Sequence, residues 1–156
     1  MLLLKRVALA ATVCVLAAVP VSAHMKKSEP LQSIRQSYFA LVGAAFMPMS
    51  EMVKGIKNWD QKAFEMAAND LAAVSAYNVE RGFAAGSEKG KTRAKPDIWE
   101  DIDEFNEHLE EFRAEAVKLA SVAQTKDRDA ITEQFAATGK TCKGCHDEYK
   151  SKDYLY

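Results

Sequence analysis

Four runs of apolar residues recur along this chain at intervals of three and four, a spacing that fits one face of an α-helix. The first passes through Arg35, Phe39, Val42, Phe46, Met49 and Val53, and the second through Phe64, Ala67, Leu71, Val74 and Asn78. The third is the most regular, through Ile98, Ile102, Phe105, Leu109, Phe112, Ala116 and Leu119. The fourth passes through Ile131, Phe135, Thr138, Cys142, Cys145 and Tyr149. Alternation with a period of two, which a half-buried strand would need, extends nowhere beyond a few residues.

The punctuation between the stripes agrees. Gly55 can close the first helix and Asp60 can cap the second. Gly82, Gly86 and Gly90, the basic run Lys89 to Lys95 and Pro96 then mark a loop. Asp97 with Glu100 predicts a capping-box-like start for the third helix, and Thr125 to Asp129 reads as a polar turn into the fourth. Pro48 removes one backbone donor inside the first helix and predicts a bend or an interruption there. The expected fold is all-α, an antiparallel four-helix bundle forming one domain over residues 24–156.

Residues 1–23 read differently. Lys5 and Arg6 precede Val7 to Val19, 13 residues without a charge, and Val21-Ser22-Ala23 places small residues where a signal peptidase cuts. A span needs about 20 apolar residues, so the segment is expected to be a cleaved export signal rather than an anchor, and the location periplasmic. Its loss removes two cations from 21 and none of the 22 anions, leaving a net charge of −3, which offers nothing to a nucleic acid and no further membrane attachment. Cys14 goes with it, so Cys142 and Cys145 remain without a third cysteine.

Those two cysteines belong to Cys142-Lys143-Gly144-Cys145-His146, the CxxCH attachment signature of c-type haem. On a helix, positions i, i+3 and i+4 share one face, so both thiols and the imidazole point the same way. A thioredoxin-type pair would need a βα context. A structural zinc site needs about four ligands and three stand here. A local disulfide beside an uninvolved histidine is the plainest alternative. The adjoining histidine, the exported context and the lack of other cysteines favour covalent haem c.

A CxxCH near the end of a four-helix bundle, rather than near its start, resembles the class II cytochromes c, the cytochrome c′ family. Ile34-Arg35-Gln36-Ser37, Val53-Lys54-Gly55, Pro96-Asp97-Ile98-Trp99 and Cys142 to Lys150 carry the resemblance. It implies that Cys142 and Cys145 link the haem and that His146 is the proximal iron ligand. It implies that Arg35 and Gln36 contact the haem and its propionates, and that Lys150 is a basic residue on the turn after the ligand. Thr92 and Arg93 correspond loosely to a loop contact. It also implies a homodimer through the first two helices. Arg35 fits this role physically, since a charge on an apolar stripe needs either a partner such as a propionate or a stem long enough to carry its head to water. Lys150 is equally placed to act as a solvated cation on the helix dipole. His24 and His108 have no supporting constellation, and His108 reads as a bystander on a glutamate-rich polar face.

Within that family the distal position lies one turn after the arginine, which puts Phe39 over the iron. A phenylalanine has no lone pair for the metal and no donor to steady bound O₂. The resemblance then implies a five-coordinate, high-spin haem that exchanges one electron with a redox partner protein and binds NO and CO. A methionine ligand would instead mark a low-spin electron carrier. Met49 shares the stripe with Phe39 but lies ten residues away, about 15 Å along a straight helix. Met47, Met49 and Met52 are therefore expected to fill the core. A peroxidase-like enzyme would need a distal acid–base group, and none is placed near Phe39.

Overall fold

A computed structural model describes residues 30–155, so the expected signal segment and His24 lie outside the described residues. The elements are α1 (Pro30–Val53), α2 (Gln61–Ser75), a 3₁₀ turn at Val79–Phe83, the single-turn α3 (Asp97–Glu100), α4 (Ile102–Ala123) and α5 (Arg128–Tyr149). The four long helices form the antiparallel bundle, with α1 on α2, α2 on α4 and α4 on α5. No strand occurs among the described residues, only an isolated antiparallel bridge between Ala94 and Lys150.

The caps explain where the helices start. Asp60 accepts from the Ala63 N–H at 3.0 Å, as expected for α2. Asp127 accepts from the Asp129 and Ala130 N–H groups, both at 3.1 Å, and so starts α5. Gly55, at φ 70°, takes the left-handed turn after α1 that other residues adopt only with strain.

Four local expectations are corrected. The third long helix does not start at Asp97. That residue opens a separate turn, the chain extends at Asp101 (φ −134°, ψ 77°), and the Asp101 carboxylate accepts from the Glu104 N–H at 3.1 Å to begin α4. The side-chain cap of the long helix therefore falls on Asp101, four residues later than expected, and the turn at Asp97 carries none. Pro48 does not interrupt α1. The carbonyl deprived of its donor belongs to Ala44, at an exposed position where water can replace the bond. The second stripe stops at Ser75, leaving Asn78 exposed beyond the helix. Met49 and Met52 are buried as expected, but Met47 is exposed.

The core runs the length of the bundle and is most closely filled at the end where α5 starts, while Ile98, Phe105, Leu109 and Tyr149 carry it to the other end. Phe64, Leu71, Leu119 and Ile131 are fully buried at the first of these ends. Phe46 of α1 stacks on Phe135 of α5 at 4.5 Å, Phe135 meets the edge of Phe64 at 6.2 Å, and Phe64 stacks on Trp59 at 4.9 Å. Beyond Phe46 the first stripe changes character. The core side of α1 is Tyr38, Ala45, Met49 and Met52, whereas Phe39, Val42 and Phe46 face a cavity.

Candidate functional site

The cavity measures about 760 Å³ and lies between the first half of α1, the first half of α4 and the last turns of α5. Its size falls within the roughly 300–1,000 Å³ usual for cofactor sites. Three positions of α5 put chemistry on one wall: Cys142, Cys145 and His146 all line it, as their i, i+3, i+4 spacing requires. Both thiols are free. Burial pushes both upward in pKa, Cys145 to about 11, with the neighbouring Cys142 and Glu148 adding to the effect. No cluster of three or more metal-ligating side chains occurs among the described residues, and no βα unit surrounds the pair, so the zinc and thioredoxin readings lose their support. The His146 imidazole is pushed below its usual pKa by desolvation first, then by the cations of Lys150 and Arg93. It is thereby held neutral, the state in which a histidine can ligate a metal.

The facing wall belongs to α1. Arg35, Gln36, Phe39, Ala40, Val42, Gly43 and Phe46 line it. A Cβ added to Gly43 would meet nothing within 4 Å, so the helix opens a notch into the cavity between Phe39 and Phe46. A flat, largely apolar group with a reactive edge toward the two thiols fits these walls. Thr92, Arg93 and Lys150 line the side where the loop meets the end of α5. Thr92 is buried and its hydroxyl accepts from the Ala94 N–H at 3.1 Å. Lys150 is exposed and extended, past the last turn of the helix. The loop itself is pinned by α1: the Gln36 amide donates to the Lys91 carbonyl at 3.3 Å, and Gln32 donates to the same oxygen.

Every residue singled out for this site is therefore brought to one cavity, and for Arg35 the expectation that its stem carries the head to water is corrected. The residue is only 3% exposed, so its head does not reach water. Its Nη1 donates to the Gly82 carbonyl at 2.6 Å and to Ser87 Oγ at 2.9 Å, and its Nη2 donates to the Ser87 carbonyl at 3.0 Å. The guanidinium also lies 5.2 Å from the Phe83 ring centroid and 5.5 Å from that of Trp99. Neutral oxygens and aromatic faces spread the charge, and the arginine ties α1 to the connection between α2 and α4. A Cβ on Gly82 would come within 2.8 Å of Arg35 Cγ, which is why the 3₁₀ turn carries no side chain there.

His108 is a correction. It is not on an uninvolved polar face but lines the cavity on the α4 side, with Cε1 3.9 Å from where a Gly144 side chain would begin. Its Nε2 lies 3.4 Å from a Glu148 oxygen and its ring packs against Tyr149 at 5.7 Å. The neighbouring glutamates that suggested a solvent face are partners from two helices. Tyr149 was visible only as a stripe residue, yet it lines the cavity, is 3% exposed, and has its phenol pushed up to about 12 by burial. Gly43 could have been singled out as a glycine in mid-helix, which usually has a packing or functional reason.

The family model described as Cytochrome C′ matches residues 31–150. The cytochrome c′ of Halomonas halodenitrificans is 36% identical over 133 residues, 80% of this chain and 100% of that protein. The solved structure of cytochrome c′ from Shewanella frigidimarina is 40% identical, with a TM-score of 0.75 over 78% of this chain and 94% of that one. A nitric oxide complex of a cytochrome c′ variant from Alcaligenes xylosoxidans is 31% identical and has a TM-score of 0.71. It covers 82% of this chain and 100% of that one, and another variant of the same protein is solved with carbon monoxide bound.

Proposed function

The chain belongs to the cytochrome c′ family, with a covalent haem c as its cofactor, and on that premise we propose an exported, five-coordinate haem protein that exchanges one electron and binds NO and CO. Cys142 and Cys145 would carry the two covalent links, and His146 would supply the axial nitrogen. A bound haem iron contributes the one-electron couple and an open position for a diatomic gas. Arg35, Gln36, Thr92 and Lys150 would meet the polar edge of the group, with Arg35 kept in place by the Gly82 and Ser87 oxygens.

One observation carries the five-coordinate reading. Past Arg35 and Gln36 at its polar edge, the α1 wall presents Phe39, Ala40, Val42, Gly43 and Phe46, none of which has a lone pair to give a metal, and none of the three methionines of α1 lines the cavity. His108 lies on α4 beside Gly144, on the anchors' side rather than opposite them. The nitric oxide and carbon monoxide complexes of the Alcaligenes relative support the choice of ligands.

Residues 1–23 act in this reading as the export signal, cut before His24, and place the protein in the periplasm. Leu41, Met47 and Met66, each more than half exposed on α1 and α2, support a homodimer through those helices.

Two measurements test the reading. Intact mass should exceed the polypeptide by one haem that acid–acetone does not extract, and Cys142→Ala with Cys145→Ala should release it. The ferrous protein should show one broad visible band. Sharp, split α and β bands would instead mark the low-spin carrier.

A further inference from the structure

The segment after α5 is polar and its side chains are largely exposed, yet its backbone is ordered against the loop. The Ser151 N–H donates to the Arg93 carbonyl at 2.7 Å, and the Leu155 N–H donates to the Thr92 carbonyl at 2.9 Å. Arg93 Nε returns a bond to the Ser151 carbonyl at 2.7 Å. With the Ala94–Lys150 bridge, these bonds lay the segment antiparallel across residues 92–94, which form one side of the cavity. Tyr154 lines the cavity and is nonetheless 57% exposed. A ring that touches both the cavity and solvent stands at the cavity's rim, here on the side formed by residues 92–94. The Lys91 ammonium lies 5.1 Å from its centroid and backs it from the loop.

We infer that Ser151–Leu155 is a strap across the cavity mouth and that Tyr154 sets the size of ligand that passes. The inference rests on the reading that this cavity holds the haem. The strap is a door rather than a wall because of what holds it. None of residues 152–155 belongs to the buried core, although Leu155 is only 37% exposed, so lifting them breaks a few hydrogen bonds and uncovers little apolar surface. Arg93 remains the hinge side, bonded to Ser151 in both directions. A diatomic gas passes beside the ring, whereas a branched ligand must wait for the strap to lift.

The test uses the haem-bearing protein with Tyr154→Ala and Tyr154→Phe. Association of carbon monoxide, methyl isocyanide and tert-butyl isocyanide with the reduced protein is followed, together with hydrogen exchange at the Leu155 amide. Tyr154→Ala should speed tert-butyl isocyanide by roughly fivefold or more, the effect of losing about one weak contact from the barrier, and leave carbon monoxide within about twofold. Tyr154→Phe should match the parent, and the Leu155 amide should exchange more slowly than in an unstructured peptide. An unchanged size dependence in Tyr154→Ala, or a Leu155 amide exchanging at the free-chain rate, would overturn the strap. A chain that carries no haem overturns the reading beneath it, and the two failures are told apart by the visible spectrum before any ligand is added.

Discussion

The two ends of the bundle use the same helices and treat the space between them in opposite ways. At one end Trp59, Phe64, Phe135 and Phe46 form a continuous aromatic run that joins α2, α5 and α1. At the other, α1 and α5 stand apart around about 760 Å³, and thiols, an imidazole, a glycine notch and the partly exposed Phe39 face inward beside the buried rings of Phe105 and Tyr149. Phe46 belongs to both regions, as floor of the cavity and as member of the stack. The difference shows that stability and binding are assigned to separate lengths of each helix. The closed end supplies the burial that lets the open end stay hollow.

Substitutions should read this division directly. Phe64→Ala, at a fully buried ring of the closed end, should cost about 3–5 kcal/mol in chemical denaturation. A loss under about 1 kcal/mol would break the comparison. Gly82→Ala should cost about 1–3 kcal/mol, because its new methyl meets Arg35 Cγ at 2.8 Å and the Leu31 carbonyl at 3.3 Å. Phe39→Ala should cost less than Phe64→Ala, since 38% of Phe39 is already exposed, while speeding gas binding measured by flash photolysis. Phe39→Met should turn the ferrous spectrum low-spin, and no spectral change would remove Phe39 from the distal position. The smallest effect has the opposite sign. Gly139→Ala, in mid-helix with its new methyl an ordinary 3.6 Å from Phe46 Cζ, should raise stability by about 0.5–1 kcal/mol.

The closed end was the legible one. Its stripes follow helix periodicity, which depends only on local spacing, so all four long helices and the α2 cap could be read directly. The CxxCH spacing likewise carried its own geometry to the open end. What escaped depended on residues distant in sequence. Arg35 finds its oxygens at Gly82 and Ser87, and His108 is drawn to Glu148 on another helix. Periodicity could place each on a face but could not say what stood opposite. The split of the first stripe between core and cavity was hidden for a related reason: a wall lined for a cofactor is as apolar as a wall lined for packing. Asp97 with Glu100 offered a local cap pattern, yet the capping bond is made by Asp101, a choice that the pattern alone could not show.

The Phe46–Phe135 stack has a consequence for the order of events during folding. The facing walls of the cavity, Phe39 on α1 and Cys142 on α5, are separated by about a hundred residues of chain, so bringing them together is a late and entropically expensive closure. The stack joins the same two helices at a shared point beside the cavity. Once it forms, both walls are aligned by rigid helix rather than by search. The alignment of the two walls is thus set by a contact between rings of opposite helices rather than by the thiols and the phenylalanine that face each other across the cavity.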